Sequence, residues 1–346
     1  MLPSTFPEPR VLASSSVPTL RWGILGAGGI AGIFASALNQ HTTQRLAAVA
    51  SLTPGKGDAF AQRFAIDAAL SSYEQLVARD DVDVVYVATP HQFHRQHAEL
   101  AIAAGKHVLI EKPMATTAAD AQAIADAAAG AGVLAMEALW TRYLPQSDVL
   151  RQLLAEGTLG EISHVQSDFG QDLRHVPRLN DPAAGGALLD LGIYNFAFAS
   201  MVAGRAQSVT AVGTLTSSGV DDTVATLMTY SSGVHASITT TLSAFTPTGA
   251  SISGSAGVVT LGTPFFTPTQ LTLAPAEFGA QPAAVWRDET GIVGHDGLSY
   301  QATALAHFVD VGLTDSPLRP LSEAVSDIAL IEQARHQVGA LLASER

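Results

Sequence analysis

Cysteine is absent from all 346 residues. That excludes disulfides, thiol nucleophiles, iron–sulfur clusters and cysteine-ligated zinc. Positive charge is scarce: 18 Lys plus Arg stand against 31 acids, a formal net charge of −13. Such a chain repels phosphate backbones, so nucleic acid is a poor partner. Long apolar runs are missing too. The longest low-charge stretch, roughly 185–204, carries Asp190 and Asn195 in its interior. A carboxylate at a bilayer centre is costly, so this stretch reads as a buried helix. Residues 1–18 hold four prolines and no apolar core after a basic start, which does not fit an export signal. They read as a flexible arm on a cytoplasmic protein.

What is present is apolar material, 47% of the chain, ample for buried cores. The length predicts two domains at about 100 to 200 residues each. In the first third, strand patterns at 20–25, 45–51, 83–88 and 107–110 alternate with helix patterns at 29–39, 94–104 and 117–129. Alternation implies parallel pairing through crossover helices. The expectation is a doubly wound α/β domain over 19–145. Beyond about Leu150 the runs turn to period two, at 163–169, 208–216, 223–230 and 234–242, with Ser231-Ser232-Gly233 as a hairpin signal. Further strands at 257–261 and 270–273 and helices at 299–313 and 321–343 complete an α+β domain over 146–346. Its large sheet is expected to be mainly antiparallel, and its last helix could pack back on the first domain.

Gly26-Ala-Gly28-Gly29-Ile30-Ala31 follows the first strand and opens a helix, fitting the dinucleotide pattern G-x-G-x-x-G/A. Gly26 would allow the tight turn and Gly28 a close pyrophosphate, while the helix N-terminus offers unpaired amides. A plain close-packing turn is the alternative. An NAD site usually carries an acid about twenty residues on. Here the second strand ends Ala50-Ser51-Leu52-Thr53-Pro54-Gly55-Lys56, without one. Ser51, Thr53 and Lys56 could bind a 2′-phosphate, so NADP is preferred over NAD, although the arginine common near Leu52 in NADP sites is missing.

Two segments fall at strand C-terminal ends, where doubly wound sheets place ligands: Ala88-Thr89-Pro90-His91-Gln92-Phe93-His94 and Gly105-Lys-His-Val-Leu-Ile-Glu111-Lys112-Pro113. Later comes Gly185-Gly186-Ala-Leu-Leu-Asp190-Leu-Gly-Ile-Tyr194. If that segment is an α-helix, Asp190 and Tyr194 share a face. In these motifs the chain resembles the glucose–fructose oxidoreductase / inositol dehydrogenase (Gfo/Idh/MocA) family, from about Leu20 onward. Met136-Glu-Ala-Leu-Trp140-Thr-Arg142-Tyr143 and the tyrosine at 194 resemble its branch of dimeric dihydrodiol dehydrogenases and NADP-dependent xylose dehydrogenases. The resemblance implies that Lys112, Asp190 and Tyr194 are catalytic, with Glu111, His94 and Trp140 around the nicotinamide. It also implies a homodimer or homotetramer joined through the second domain's sheet. Ala184 stands where the family usually has a third glycine.

The chemistry this implies is hydride transfer at a CH–OH or carbonyl of a sugar, polyol or cyclic diol. Tyrosine ionises near pH 10, and a neighbouring Lys112 ammonium would favour the phenolate. Tyr194 would then be general base in oxidation and general acid in reduction. Lys112 could stabilise charge on the substrate oxygen, and Asp190 could orient a hydroxyl or the lysine. Thr89, Pro90, His91, Trp140 and Arg142 complete the cofactor-side candidates, although Trp140 could be core and Arg142 could simply pair with an acid. His91, His94 and His97 lack a carboxylate set for metal, so no metal site is expected. His97 should face away if the helix starts near His94. Two alternatives remain open. One is a non-catalytic NADP-binding regulator of the same fold. The other is a sugar–sugar oxidoreductase with tightly held cofactor.

Overall fold

The computed structural model describes residues 2–345, and the chain forms two compact units. The first comprises Val11–Tyr143 and Ile292–Val325. Its strands are β1 (Arg21–Leu25), β2 (Arg45–Ala50), β3 (Ala68–Leu70), β4 (Val84–Val87), β5 (His107–Ile110) and β6 (Ala135–Glu137). All pair in parallel in the order β3-β2-β1-β4-β5-β6. Helices α1 (Gly29–His41), α2 (Lys56–Phe64), α3 (Tyr73–Val77), α4 (His94–Ala103) and α5 (Ala118–Ala131) make the crossovers. The strand order reverses between β1 and β4, and the crevice at such a point is the ligand position of doubly wound sheets. Helix α5 starts where the Thr117 hydroxyl accepts from the Asp120 amide and stops at left-handed Gly132. β3 and β6 escape sequence detection because three residues are too few to show a period.

The second unit comprises residues 2–10, Leu144–Gly291 and 326–345. It contains α6 (Pro145–Ala155) and the buried helix α7 (Ile193–Ala203). Its eight strands are β7 (Ile162–Gly170), β8 (Ser208–Leu215), β9 (Asp221–Thr229), β10 (His235–Thr241), β11 (Ala250–Gly254), β12 (Gly257–Leu261), β13 (Leu271–Pro275) and β14 (Ala284–Trp286). Their order is β14-β13-β12-β11-β7-β10-β9-β8, antiparallel except where β10 runs parallel to β7. The expected hairpin joins β9 to β10, closed by the Tyr230 amide on the Val234 carbonyl with Gly233 at φ +85°. Both expected architectures are therefore present. The remaining helices are α8 (Leu298–Asp310), which packs on α1, and α9 (Leu321–Gln337). Residues 2–18 hold no strand or α-helix; Arg10 donates to the Asp148 carboxylate and the Ser14 hydroxyl accepts from the Thr43 amide. No helix among the described residues is long and apolar enough to cross a membrane.

Candidate active site

In the first unit the glycine-rich turn divides by function. Gly26 sits at φ +94°, and a Cβ there would lie 2.7 Å from the Ala88 carbonyl oxygen, so the turn itself demands glycine. Gly28 and Gly29 differ, because no heavy atom lies within 4 Å of where their Cβ atoms would be. Packing does not explain them. They leave open backbone at the N-terminus of α1, which has no side-chain cap, with Ile30 in its first turn and Ala31 fully buried behind. This cradle fits a dinucleotide pyrophosphate. At the end of β2 the Ser51 hydroxyl accepts from the Thr53 amide at 3.3 Å, Leu52 is exposed, and Lys56 begins α2 in the open.

The ends of β4 and β5 meet at one imidazole. His94, fully buried, places Nε2 2.8 Å from the Thr89 carbonyl oxygen and Nδ1 2.9 Å from that of Pro113. Burial outweighs the pull of the two carbonyls and brings its pKa down to about 4, so near pH 7 the ring is neutral and donates its single N–H to one of them. Thr89 is buried and Pro90 and partly exposed His91 follow it. His97 does not face away: one turn after His94 it shares the inner face of α4, with Nδ1 2.9 Å from the Thr89 hydroxyl and its ring edge-on to Tyr73.

Around Lys112 the backbone is held by acids. Buried Glu111 accepts from the Tyr86 hydroxyl and, at 3.2 Å, from the Lys112 amide. Fully buried Glu137, on β6, accepts from the Met114 amide at 2.9 Å and from Arg319 at 2.9 Å. Arg319 also reaches Glu323, which takes up Arg142 at 2.9 Å. Arg142 thus pairs with an acid and with the Leu318 carbonyl. Trp140 is buried and stacks on His295, with centroids 5.6 Å apart. Burial and the nearby Lys112 ammonium lower the His295 pKa.

In the second unit, Asp190 and Tyr194 do not share one continuous α-helix. Leu188–Gly192 is a π-helical turn that runs directly into α7. The i→i+5 pattern widens the turn, so four residues fall short of a full revolution. Both side chains are buried, 5% and 7% exposed. Arg178 forks the Asp190 carboxylate at 3.0 and 3.3 Å. The Tyr194 ring packs against Phe169 and Phe266, at 5.6 and 5.4 Å between centroids. The motif's glycines answer local crowding. A Cβ at Gly185 would meet the Leu179 carbonyl, and one at Gly186, at φ +110°, would overlap the Asp221 carboxylate. Ala184 is accommodated. Asp221 is fully buried and accepts from the Leu188 amide at 2.6 Å, and burial raises its pKa.

Residues 20–139 match the model of the oxidoreductase family with NAD-binding Rossmann fold, and residues 148–260 match the GFO/IDH/MocA C-terminal domain. The chain belongs to the Gfo/Idh/MocA oxidoreductase family. It is 38% identical to trans-1,2-dihydrobenzene-1,2-diol dehydrogenase of Mus musculus, over 92% of this chain and 97% of that one. The enzyme of that name from Homo sapiens is 37% identical over the same shares. Among solved structures, the aldose-aldose oxidoreductase from Caulobacter crescentus aligns with TM-score 0.81 at 26% identity, covering 92% and 97%. KijD10, a 3-ketoreductase from Actinomadura kijaniata in complex with NADP and TDP-benzene, aligns with TM-score 0.79 at 26% identity, covering 93% and 98%. The protein is an NAD(P)-binding oxidoreductase.

As a Gfo/Idh/MocA protein it carries supporting residues that motif reading passes over. Glu137 lies inside the Met136–Tyr143 motif, and its three-residue strand hides that it faces Arg319, 182 positions away. His295 lies in a glycine-rich loop that carries no periodic signal, and Arg178 in an irregular one. Among the described residues, Glu332, His336 and Glu345 alone bring three metal-capable side chains within 4.8 Å of one another, and none belongs to the histidine run at 91–97.

Proposed function

We propose that the protein is an NADP-preferring dehydrogenase or reductase acting on a ring that carries adjacent hydroxyls, a cyclic diol or a sugar. One observation carries this reading: the buried Asp190 carboxylate and Tyr194 hydroxyl lie four residues apart, with Phe169 and Phe266 against the tyrosine ring. A carboxylate, an acid–base hydroxyl and an apolar wall suit a hydroxylated ring. The relatives named for a benzene dihydrodiol support it further.

The nicotinamide, when bound, supplies or accepts the hydride. Gly26, Gly28, Gly29 and Ile30 would hold the pyrophosphate, and Ser51 and Lys56 the ribose phosphate that makes the cofactor NADP. Thr89, Pro90, His91, His94, Glu111, Trp140 and Arg142 form or support the cofactor side. Tyr194 takes the alcohol proton in oxidation and returns it in reduction. Lys112 donates to the substrate oxygen and steadies its developing charge. Asp190 accepts from a substrate hydroxyl and fixes the ring's orientation.

We also propose a cytoplasmic homodimer or homotetramer joined through the eight-stranded sheet, where Val212 and Leu227 are exposed. A panel of cyclic diols, aldoses and inositols, followed at the absorbance of reduced nicotinamide with each cofactor, tests the reading. Turnover of a vicinal diol with NADP at several times the NAD rate is expected. No turnover across the panel despite cofactor binding overturns it. Likeness to the aldose-aldose oxidoreductase favours a second reading, in which cofactor stays bound and one sugar is oxidised as another is reduced. Cofactor retained through purification, with ping-pong kinetics, would select it.

A further inference from the structure

In the second unit, Arg178 and Arg10 each reach from the surface to a buried carboxylate, Asp190 and Asp148 in turn, and only the first of these acids lies in the Tyr194 segment. The Arg178 side chain is 59% exposed, yet its guanidinium forks a carboxylate that is only 7% exposed. Both bonds are in range, Nη1 to Oδ1 at 3.0 Å and Nη2 to Oδ2 at 3.3 Å. A two-pronged pair of this kind sets the plane of the carboxylate as well as its charge. The carboxylate belongs to Asp190, within the π turn that leads into the helix of Tyr194.

The loop that carries Arg178 is built to hold it there. Residues 171–184 contain a single 3₁₀ turn, Pro177–Asn180, and Leu179 next to Arg178 is buried. The Asn180 side chain donates from Nδ2 to the Arg174 and Val176 carbonyls. The Gly186 amide returns to the Leu179 carbonyl at 3.0 Å, and Gly185 has no room for a Cβ against that same carbonyl. The loop is therefore clamped to the start of the Asp190 segment just after Arg178 and is bonded to itself just before it. Arg174, four residues earlier in the same loop, is spent on exposed Asp172.

We propose that Arg178 is the positioning residue for Asp190, setting the direction of its carboxylate toward the substrate hydroxyl. This rests on the role proposed above for Asp190. Arg178 does not exchange protons or touch the reacting carbon. It holds both carboxylate oxygens and so sets the plane in which the group meets the substrate.

The test is a double-mutant cycle on the full chain with the best substrate of the panel. Arg178→Ala should lower kcat by about tenfold or more, the scale of a misplaced orienting group, with NADPH affinity unchanged. Arg178→Lys should recover little, since an ammonium cannot fork a carboxylate, and added methylguanidinium should restore part of the loss in Arg178→Ala. In an Asp190→Asn background, Arg178→Ala should add nothing further, because the interaction is already gone. Independent losses that multiply would overturn the proposal, as would Arg178→Ala with unchanged kcat where Asp190→Asn is impaired. A second readout needs no activity. Limited trypsin cleavage after Arg178 should accelerate in Asp190→Asn while cleavage after Arg174 stays constant, and equal rates would overturn the pairing. Faster cleavage together with normal turnover of Asp190→Asn would instead overturn the role given to Asp190.

Discussion

Tyr194 and His94 show two ways a single side chain can matter. Tyr194 carries the proton in the proposed reaction, so Tyr194→Phe keeps the ring against Phe169 and Phe266 but removes the acid–base group. Turnover should fall by about 10²-fold or more with the melting temperature nearly unchanged, and steady-state kinetics beside thermal unfolding checks both. His94 acts on stability. Its folded pKa, about 4, lies below the ordinary 6.5, so the unfolded chain binds the proton more readily. The sign follows: stability contributed by the neutral ring is complete above pH 6.5 and is lost as pH falls toward 4. Full loss amounts to about 3 kcal/mol. Urea unfolding at pH 7 and pH 4.5 should show this drop in the parent, and His94→Gln should lose that part of the pH dependence. An unchanged difference in the variant would remove His94 as its source.

At the level of elements, two glycine-containing turns answer opposite needs. Gly28 caps α1 where a Cβ would meet nothing, at φ −85°, which any residue adopts. Gly28→Ala should therefore fold normally and weaken NADP(H) binding by about tenfold or more, as a methyl enters the pyrophosphate cradle. Cofactor titration by fluorescence and a melting curve separate the two effects. Gly186 precedes the π turn at φ +110°, with the Asp221 carboxylate where a Cβ would go. Gly186→Ala should cost about 2 to 4 kcal/mol through strain and the displaced buried carboxylate, read as a lowered urea midpoint. The same residue type thus leaves open space in one motif and relieves crowding in the other. Nothing in either glycine string tells the two apart.

For the whole molecule, the acidic surface and the open sheet set the predictions. Val212 and Leu227 are 68% and 47% exposed on strands of the eight-stranded sheet. They line one concave face together with polar Gln166, Thr210, Ser237 and Thr239, the mixed lining proposed above as the association surface. Light scattering should give at least twice the chain mass, and Leu227→Arg should shift it toward the monomer; a monomeric parent would remove the oligomer proposal. Much of this architecture was legible in advance. Alternating apolar runs and the Gly26–Ala31 turn announce a parallel sheet with a nucleotide site, because period and turn chemistry are local properties of a chain. The period-two runs after Leu150 likewise announce the second sheet. Local signals could not say that Lys112 is braced by Glu137 through Met114, or that Arg142 answers to Glu323 across 181 residues. Nor could they say that Asp190 sits in a π turn under Arg178. Those pairings join residues far apart in sequence, or depend on a backbone widening that side-chain pattern does not encode. By itself, then, the cysteine-free, base-poor sequence determined the class of chemistry, a nucleotide-dependent oxidoreductase, and named the lysine, tyrosine and aspartate proposed to serve it. Tertiary structure alone decided which buried partners hold those side chains, since desolvation and geometry arise only when distant segments pack.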